Sequence, residues 1–214
     1  MSVPSHARVV VVGGGVIGCS VAYHLAHMGW TDIVLLERDR LTSGTTWHAA
    51  GLIVSFGSTS ETSTEMRKYT RDLYARLEAE TGLSTGFKAV GFIEVASDQD
   101  RLEEYRRVSA FNRFCGVDVH EISPKEIRDL FPLAKTDDLL AGFYVKEDGR
   151  ANPVDVTMAM AKGARQQGAT ILEQVLERFG ANEVIVSDQG VRWGLLWREI
   201  ERRYPPPELA VDKP

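Results

Sequence analysis

The segment from Val9 to Gly18, Val-Val-Val-Val-Gly-Gly-Gly-Val-Ile-Gly, constrains the fold of this chain more than any other. It joins a β-branched run to a helix-forming stretch through a turn that is almost all glycine. A continuous apolar run such as Val9 to Val12 reads as a strand buried on both faces of a parallel sheet. Val16 to Met28 reads as a helix in which Ile17, Val21, Leu25 and Met28 recur at four, four and three residues, a stripe expected to lie on an apolar surface. Gly29 is the expected stop signal. Ile33 to Leu36 is a second β run, so residues 8 to 37 read as one βαβ unit.

The turn has the spacing Gly13-x-Gly15-x-x-Gly18. In the strand-to-helix setting, Gly13 permits a tight turn, Gly15 lets the backbone approach a pyrophosphate, and Gly18 lets the helix sit close to the sheet. The first helical residues, Val16 and Ile17, belong to the helix N-terminus, whose free N–H groups and partial positive charge suit an anion. Glu37 ends the second β run 19 residues after Gly18, where a carboxylate can accept both hydroxyls of an adenosine ribose. The same carboxylate would repel a ribose phosphate, which argues against NADP. From Val9 to Thr31 there is no Asp, Glu, Lys or Arg, so this stretch imitates a secretory signal or a membrane span. Four glycines and the pair His24 and His27 interrupt it before it could cross a bilayer, and no transmembrane segment is expected.

Composition removes several classes. A net charge of -5 gives no basic footprint for nucleic acid, and two cysteines, Cys19 and Cys115, exclude a disulfide framework or a Cys-rich zinc site. Farther along, helices are expected over Glu65 to Thr81 (Met66, Leu73 and Leu77 inward), Asp98 to Phe114 (Leu102, Tyr105 and Val108 inward), a short segment from Ser123, and Pro153 to Gln167. Strands are expected at Val90 to Ala96, Gly142 to Val145, Thr170 to Val175 and Glu183 to Ser187, the last turning at Asp188-Gln-Gly190. Between Arg38 and Ser63 runs a polar loop long enough to read as functional or mobile. Charge and composition change near Val191, and Trp193 to Tyr204 reads as an amphipathic helix.

Beyond Glu37 the pattern becomes specific. Leu36-Glu-Arg-Asp39 followed by Leu41-Thr-Ser-Gly-Thr-Thr-Trp-His-Ala-Ala-Gly-Leu52 resembles the dimethylglycine and sarcosine dehydrogenase branch of the D-amino-acid-oxidase-like flavoproteins. So do Gly91 to Val95, the Ser123-Pro-Lys-Glu126 segment with Leu130-Phe-Pro132, and Asp148-Gly-Arg-Ala-Asn-Pro153, and the likeness runs over residues 7 to 191. The resemblance implies an α/β fold: a Rossmann-like FAD-binding βαβ sheet with part of an interleaved α+β substrate domain, truncated at the C-terminus. It divides the chain into residues 7–63 (FAD-binding), 64–150 (partial substrate domain), 151–191 (return to the FAD-binding domain) and 192–214 (divergent tail). It implies FAD held by Gly13, Gly15, Val16, Ile17, Gly18, Glu37, Arg38, Ser43, Gly44, Thr45, Thr46, Gly51 and Leu52, with His48 the point of covalent flavin attachment. The implied reaction is hydride transfer from an N-methylated glycine such as dimethylglycine or sarcosine, with tetrahydrofolate engaged only in a longer form. No catalytic side chain and no electron acceptor is assigned.

Other readings stand beside this one. A regulatory or truncated relative would keep the cofactor-binding start without completing the site, since one branch of the family is a regulatory subunit of a phosphatase. A nicotinamide-dependent dehydrogenase would use the same glycines but leave the segment through His48 unexplained. His24 and His27 imitate a metal pair, with no third ligand nearby, and read as structural. Cys19, at a helix start where its pKa would fall, reads as a packing residue. Glu147 and Asp148 read as part of a turn before Gly149. Lacking an Arg-rich presequence, the chain is expected in the cytoplasm, with the mitochondrion as the alternative.

Overall fold

The structure, a computed structural model, describes residues 4 and 6–175. In chain order the elements are β1 (Val9–Val12), α1 (Val16–His27), β2 (Ile33–Leu36), a 3-10 turn (Thr46–His48), β3 (Leu52–Ile53), α2 (Glu61–Thr81), β4 (Phe92–Ala96), α3 (Gln99–Phe114), β5 (Val119–Ile122), α4 (Pro124–Leu130), β6 (Ala141–Val145), β7 (Gly149–Arg150), α5 (Pro153–Gln166) and β8 (Thr170–Leu172). The hairpin expected near Glu183 and the tail helix from Trp193 lie outside the described residues.

β1, β2 and β8 form a parallel sheet in the order β1-β2-β8, with Val9 opposite Ile33 and Val34 opposite Thr170. The βαβ unit is therefore present as expected. The burial expected of β1 is not: Val10 is 53% exposed and Val12 62%, whereas Ile33, Val34 and Leu35 of β2 are buried. Among the described residues β1 pairs only with β2, and the helices cover only the face to which Val11 points.

The apolar stripe expected of α1 is overturned except at Leu25, which packs partly buried against the core. Ile17 is 75% exposed and Met28 66%, while the buried residues of α1 are Cys19, Ala22, Tyr23 and Ala26. Small side chains win because α1 lies close against α5, which buries Ala159, Ala161, Gly163 and Ala164. At Gly163 an added Cβ would come within 2.9 Å of the Tyr23 ring. A row of larger side chains would hold the helices apart and lose that dispersion contact.

α2 begins four residues earlier than expected, because the Ser60 hydroxyl accepts from the Ser63 N–H and caps it. Leu73 and Leu77 are buried, but Met66 is exposed. A second, antiparallel sheet has the order β4-β6-β5. One face of it packs Phe143, Val145, Leu102 and Phe56 into a separate core that also receives Tyr105 and Val108, as expected of α3. Ser123 and Glu126 form a reciprocal capping box at α4, and Asn152 caps α5 ahead of Pro153. The short pair β3-β7, with Leu52 opposite Arg150 and Ile53 opposite Gly149, ties the segment after the 3-10 turn to the chain leading into α5.

Candidate functional site

The glycine turn is held from three directions. Gly13 N–H donates to Leu36 O (2.8 Å), Gly14 N–H donates to Glu37 Oε2 (2.6 Å), and Thr42 N–H donates to Gly14 O (3.0 Å). At Gly18 an added Cβ would overlap the Gly13 carbonyl oxygen, so only glycine allows the helix to start this close to the turn. Gly15, the N-cap of α1, offers no side chain. Its role is taken from a distance by Thr46, whose Oγ1 accepts from Val16 N–H (2.9 Å). A side chain at Gly15 would press on that hydroxyl, with a Cβ 3.0 Å away.

Glu37 is nearly buried, and its two carboxylate oxygens accept from the N–H groups of Gly14 and Asp39. Each oxygen retains a further lone pair, so the group that shapes the turn can also receive a hydroxyl. No carboxylate occupies the first turn of α1, which leaves the positive end of the helix dipole for an anionic ligand. Donors, dipole and the absence of competing charge together fit the pyrophosphate of a dinucleotide.

From the turn the chain runs out along Ser43, Gly44 and Thr45 to the 3-10 turn, in which Thr46 is buried and Trp47 and His48 are exposed with ring centroids 3.6 Å apart. Gly51 follows with a φ of +72°; a Cβ there would overlap the Ala151 carbonyl oxygen, so a side chain is excluded twice over. Ala151 N–H donates to Gly51 O (2.8 Å), and Leu52 is exposed. Behind this stretch lies a cavity of about 180 Å³ bounded by Val16, Ala49, Gly51, Tyr74 and Val156. The first residue of α1 and the segment after His48 thus share one hollow.

Of the residues singled out in the sequence, Gly13, Gly15, Val16, Gly18, Glu37 and Thr46 meet directly around the turn. His48, Gly51 and Leu52 sit on the wall that continues from it. Arg38 and Ile17 are exposed residues outside this cluster. Sequence reasoning missed Thr42, whose positive φ of 71° lets its N–H reach back to Gly14. It also missed Asp148, read as a turn residue but fully buried: it accepts from Ser55 N–H (2.8 Å) and from the Ser55 hydroxyl. Burial raises its pKa, with Ser55 and the Arg71 guanidinium opposing. Burial likewise pushes the Cys19 thiol up to about 12, which makes it a packing residue rather than a nucleophile. His24 is engaged by Ser20 O and the Tyr69 hydroxyl, and His27 stacks on Tyr23. Among the described residues no cluster of three potential metal ligands occurs, and no helix is long and apolar enough to cross a membrane.

Comparison with known proteins agrees with this geometry. The family model described as DAO, FAD dependent oxidoreductase, matches residues 8–197. Human mitochondrial sarcosine dehydrogenase is 44% identical over 171 residues, covering 79% of this chain and 18% of that protein. The rat mitochondrial dimethylglycine dehydrogenase is 41% identical over 168 residues (77% and 19%), and the mouse mitochondrial pyruvate dehydrogenase phosphatase regulatory subunit is 40% identical over 195 residues (89% and 22%). Among solved structures, L-proline dehydrogenase from P. horikoshii superposes with a TM-score of 0.75 at 27% identity, covering 80% of this chain and 45% of that one. The chain spans about a fifth of the length of these curated relatives.

Proposed function

The chain belongs to the family of FAD-dependent oxidoreductases of the DAO type, and from that membership we propose that it carries the FAD-binding part of an enzyme that oxidises N-methylated glycines such as sarcosine or dimethylglycine. The observation that carries the reading is the glycine turn, clamped between Glu37 and Thr46 at the start of α1 and continuous with the wall through His48. The N–H groups of Gly15 and Ile17 and the helix dipole would hold the pyrophosphate, and Glu37 the adenosine ribose. Ser43, Gly44 and Thr45 are small enough for the chain to run along the cofactor, with Arg38 at its margin and Gly51 and Leu52 on the side of the ring. FAD, when bound, supplies the hydride acceptor for a C–H bond beside an amine nitrogen. This chain's residues orient the partners and exclude water, tasks that need no strong base.

In this reading His48 is the covalent attachment point, favoured by its exposure beside the cavity. Tetrahydrofolate would be engaged only by a longer form. Names of relatives favour the mitochondrion over the cytoplasm expected from the sequence. A second reading, a regulatory relative without catalysis, is supported by the likeness to the phosphatase regulatory subunit. A nicotinamide cofactor has no comparable support.

Titration of the chain with FAD tests the proposal. Saturable binding should weaken at least about tenfold in Gly15→Asp, which places a carboxylate at the phosphate-binding helix start. Binding that ignores this substitution would overturn the assignment of the turn. Covalency is separate: flavin fluorescence should remain with the denatured polypeptide and vanish from His48→Ala. Flavin released by acid from the unaltered chain would refute the link. Oxidation of sarcosine by flavin-loaded protein distinguishes the enzyme from the regulatory reading.

A further inference from the structure

Ser63, Met66, Arg67 and Thr70 recur at three, one and three positions, so they share one face of α2. That face meets Leu52, Ile53 and Val54 across a hollow of about 350 Å³, at the small end of the range in which ligand sites fall. Arg67 is the one charged residue among those that line it. Its Nη1–H donates to Phe56 O (2.7 Å), and Phe56 is itself fixed in the second core, its ring stacked on Phe143. That bond uses one of the five N–H groups of the guanidinium. No carboxylate pairs with Arg67 among the described residues. The contrast is Arg71, the other half-buried arginine among them, which Asp72 and Glu147 neutralise.

A guanidinium drawn half out of water, with a carbonyl as its one partner, keeps its charge uncompensated, and its free edge suits the two oxygens of a carboxylate. Nearby acidic groups are committed elsewhere: Asp148 accepts from Ser55, Glu65 pairs with Lys68, and neither lines the hollow. We propose that Arg67 is a specificity-determining residue that pairs with the carboxylate of the amine substrate. The proposal rests on the reading of the chain as part of an enzyme that oxidises N-methylated glycines. Such substrates join a carboxylate to a methylated nitrogen through one carbon, and the hollow offers a surface for each end. Arg67 and the Ser63 hydroxyl supply donors, while Leu52, Ile53 and Met66 supply apolar surface for methyl groups. Leu52 and Ile53 border both this hollow and the cavity behind the His48 segment. A short amino acid held at Arg67 thus has its carboxylate on the α2 side and its nitrogen end toward the strand that reaches the cofactor wall. Selectivity follows from the charge, because an amine without a carboxylate leaves the guanidinium unpaired, and a site built around a polar partner rejects the analogue that lacks it.

The test is calorimetric titration of the full 214-residue chain, in the presence of FAD, with dimethylglycine and with N,N-dimethylglycinamide, in which a neutral amide replaces the carboxylate. The acid should bind the unaltered chain at least about tenfold more tightly than the amide, and Arg67→Met should bring the two within about twofold. Arg67→Lys, which keeps the charge and loses the planar fork, should fall between. The comparison on the unaltered chain needs no substitution: equal affinities there, or no binding of the acid, would overturn the proposal. So would a preference for the acid that survives undiminished in Arg67→Met. FAD titrated in parallel keeps the two readings apart. Its affinity should be the same in Arg67→Met as in the unaltered chain, and a loss there would give Arg67 to the cofactor instead. A chain that prefers the acid through Arg67 but takes no FAD would keep the carboxylate site and sink the flavoenzyme reading.

Discussion

Asp148 shows how one residue joins the two halves of the structure. Its carboxylate accepts from Ser55, just past the wall of the candidate site, while its carbonyl accepts from Gly91 ahead of β4 (2.8 Å). Burial holds its pKa above the ordinary aspartate value. A carboxyl with a raised folded-state pKa binds its proton more tightly in the native state, so its favourable contribution is complete below the unfolded pKa and is lost as pH rises through the folded one. Asp148→Asn keeps an acceptor for Ser55 N–H but never ionises. We expect the variant to gain stability relative to the unaltered chain as pH rises above about 4, read as the difference in urea midpoints between pH 4 and pH 8. A difference that is flat, or that runs the other way, would show that the hydrogen bonds from Ser55 outweigh desolvation.

At the scale of elements, α1 is the informative case. Its apolar residues recur at helical spacing, yet the face that packs is Cys19, Ala22 and Ala26 with Tyr23, whose ring fits where α5 offers Gly163 between Ala159 and Ala164. Large residues carry more transferable area, but only if the partner leaves room for them. Gly163→Ala should therefore destabilise the chain by about 1–3 kcal/mol, since the new methyl meets the Tyr23 ring. Val21→Ser, on the exposed row, should change stability by no more than about 0.5 kcal/mol. Chemical denaturation of both variants ranks the two faces. A larger loss at Val21 would restore the stripe as the packing surface.

For the molecule as a whole, the parallel sheet has an uneven distribution of cover. Among the described residues β2 is flanked by strands on both sides, whereas β1 has one strand neighbour and presents Val10 and Val12 to solvent. An apolar strand with an unpaired edge is a template for association with another chain. Val12→Lys should lower the rate of aggregation at elevated protein concentration, measured by light scattering, while leaving the unfolding midpoint nearly unchanged. Unaltered aggregation in this variant would place the sticky surface elsewhere, for instance at Phe114 or Leu133, which are also exposed.

The glycine spacing, the two β runs around it and the helix caps at Ser123 and Asn152 were all legible in the sequence, because each rests on short-range stereochemistry. Gly18 faces an oxygen five residues away, and a cap bonds within its own first turn. Family likeness through the His48 segment was legible for the same reason: it is a contiguous string. What remained hidden depended on partners distant in the chain. Thr46 capping α1 across thirty residues, Ser55 meeting Asp148 across ninety-three, and the choice of the small face of α1 all depend on which elements come together. Local sequence prescribes what a segment can offer, whereas burial and partnership are properties of the space between segments, and only the tertiary structure fills that space.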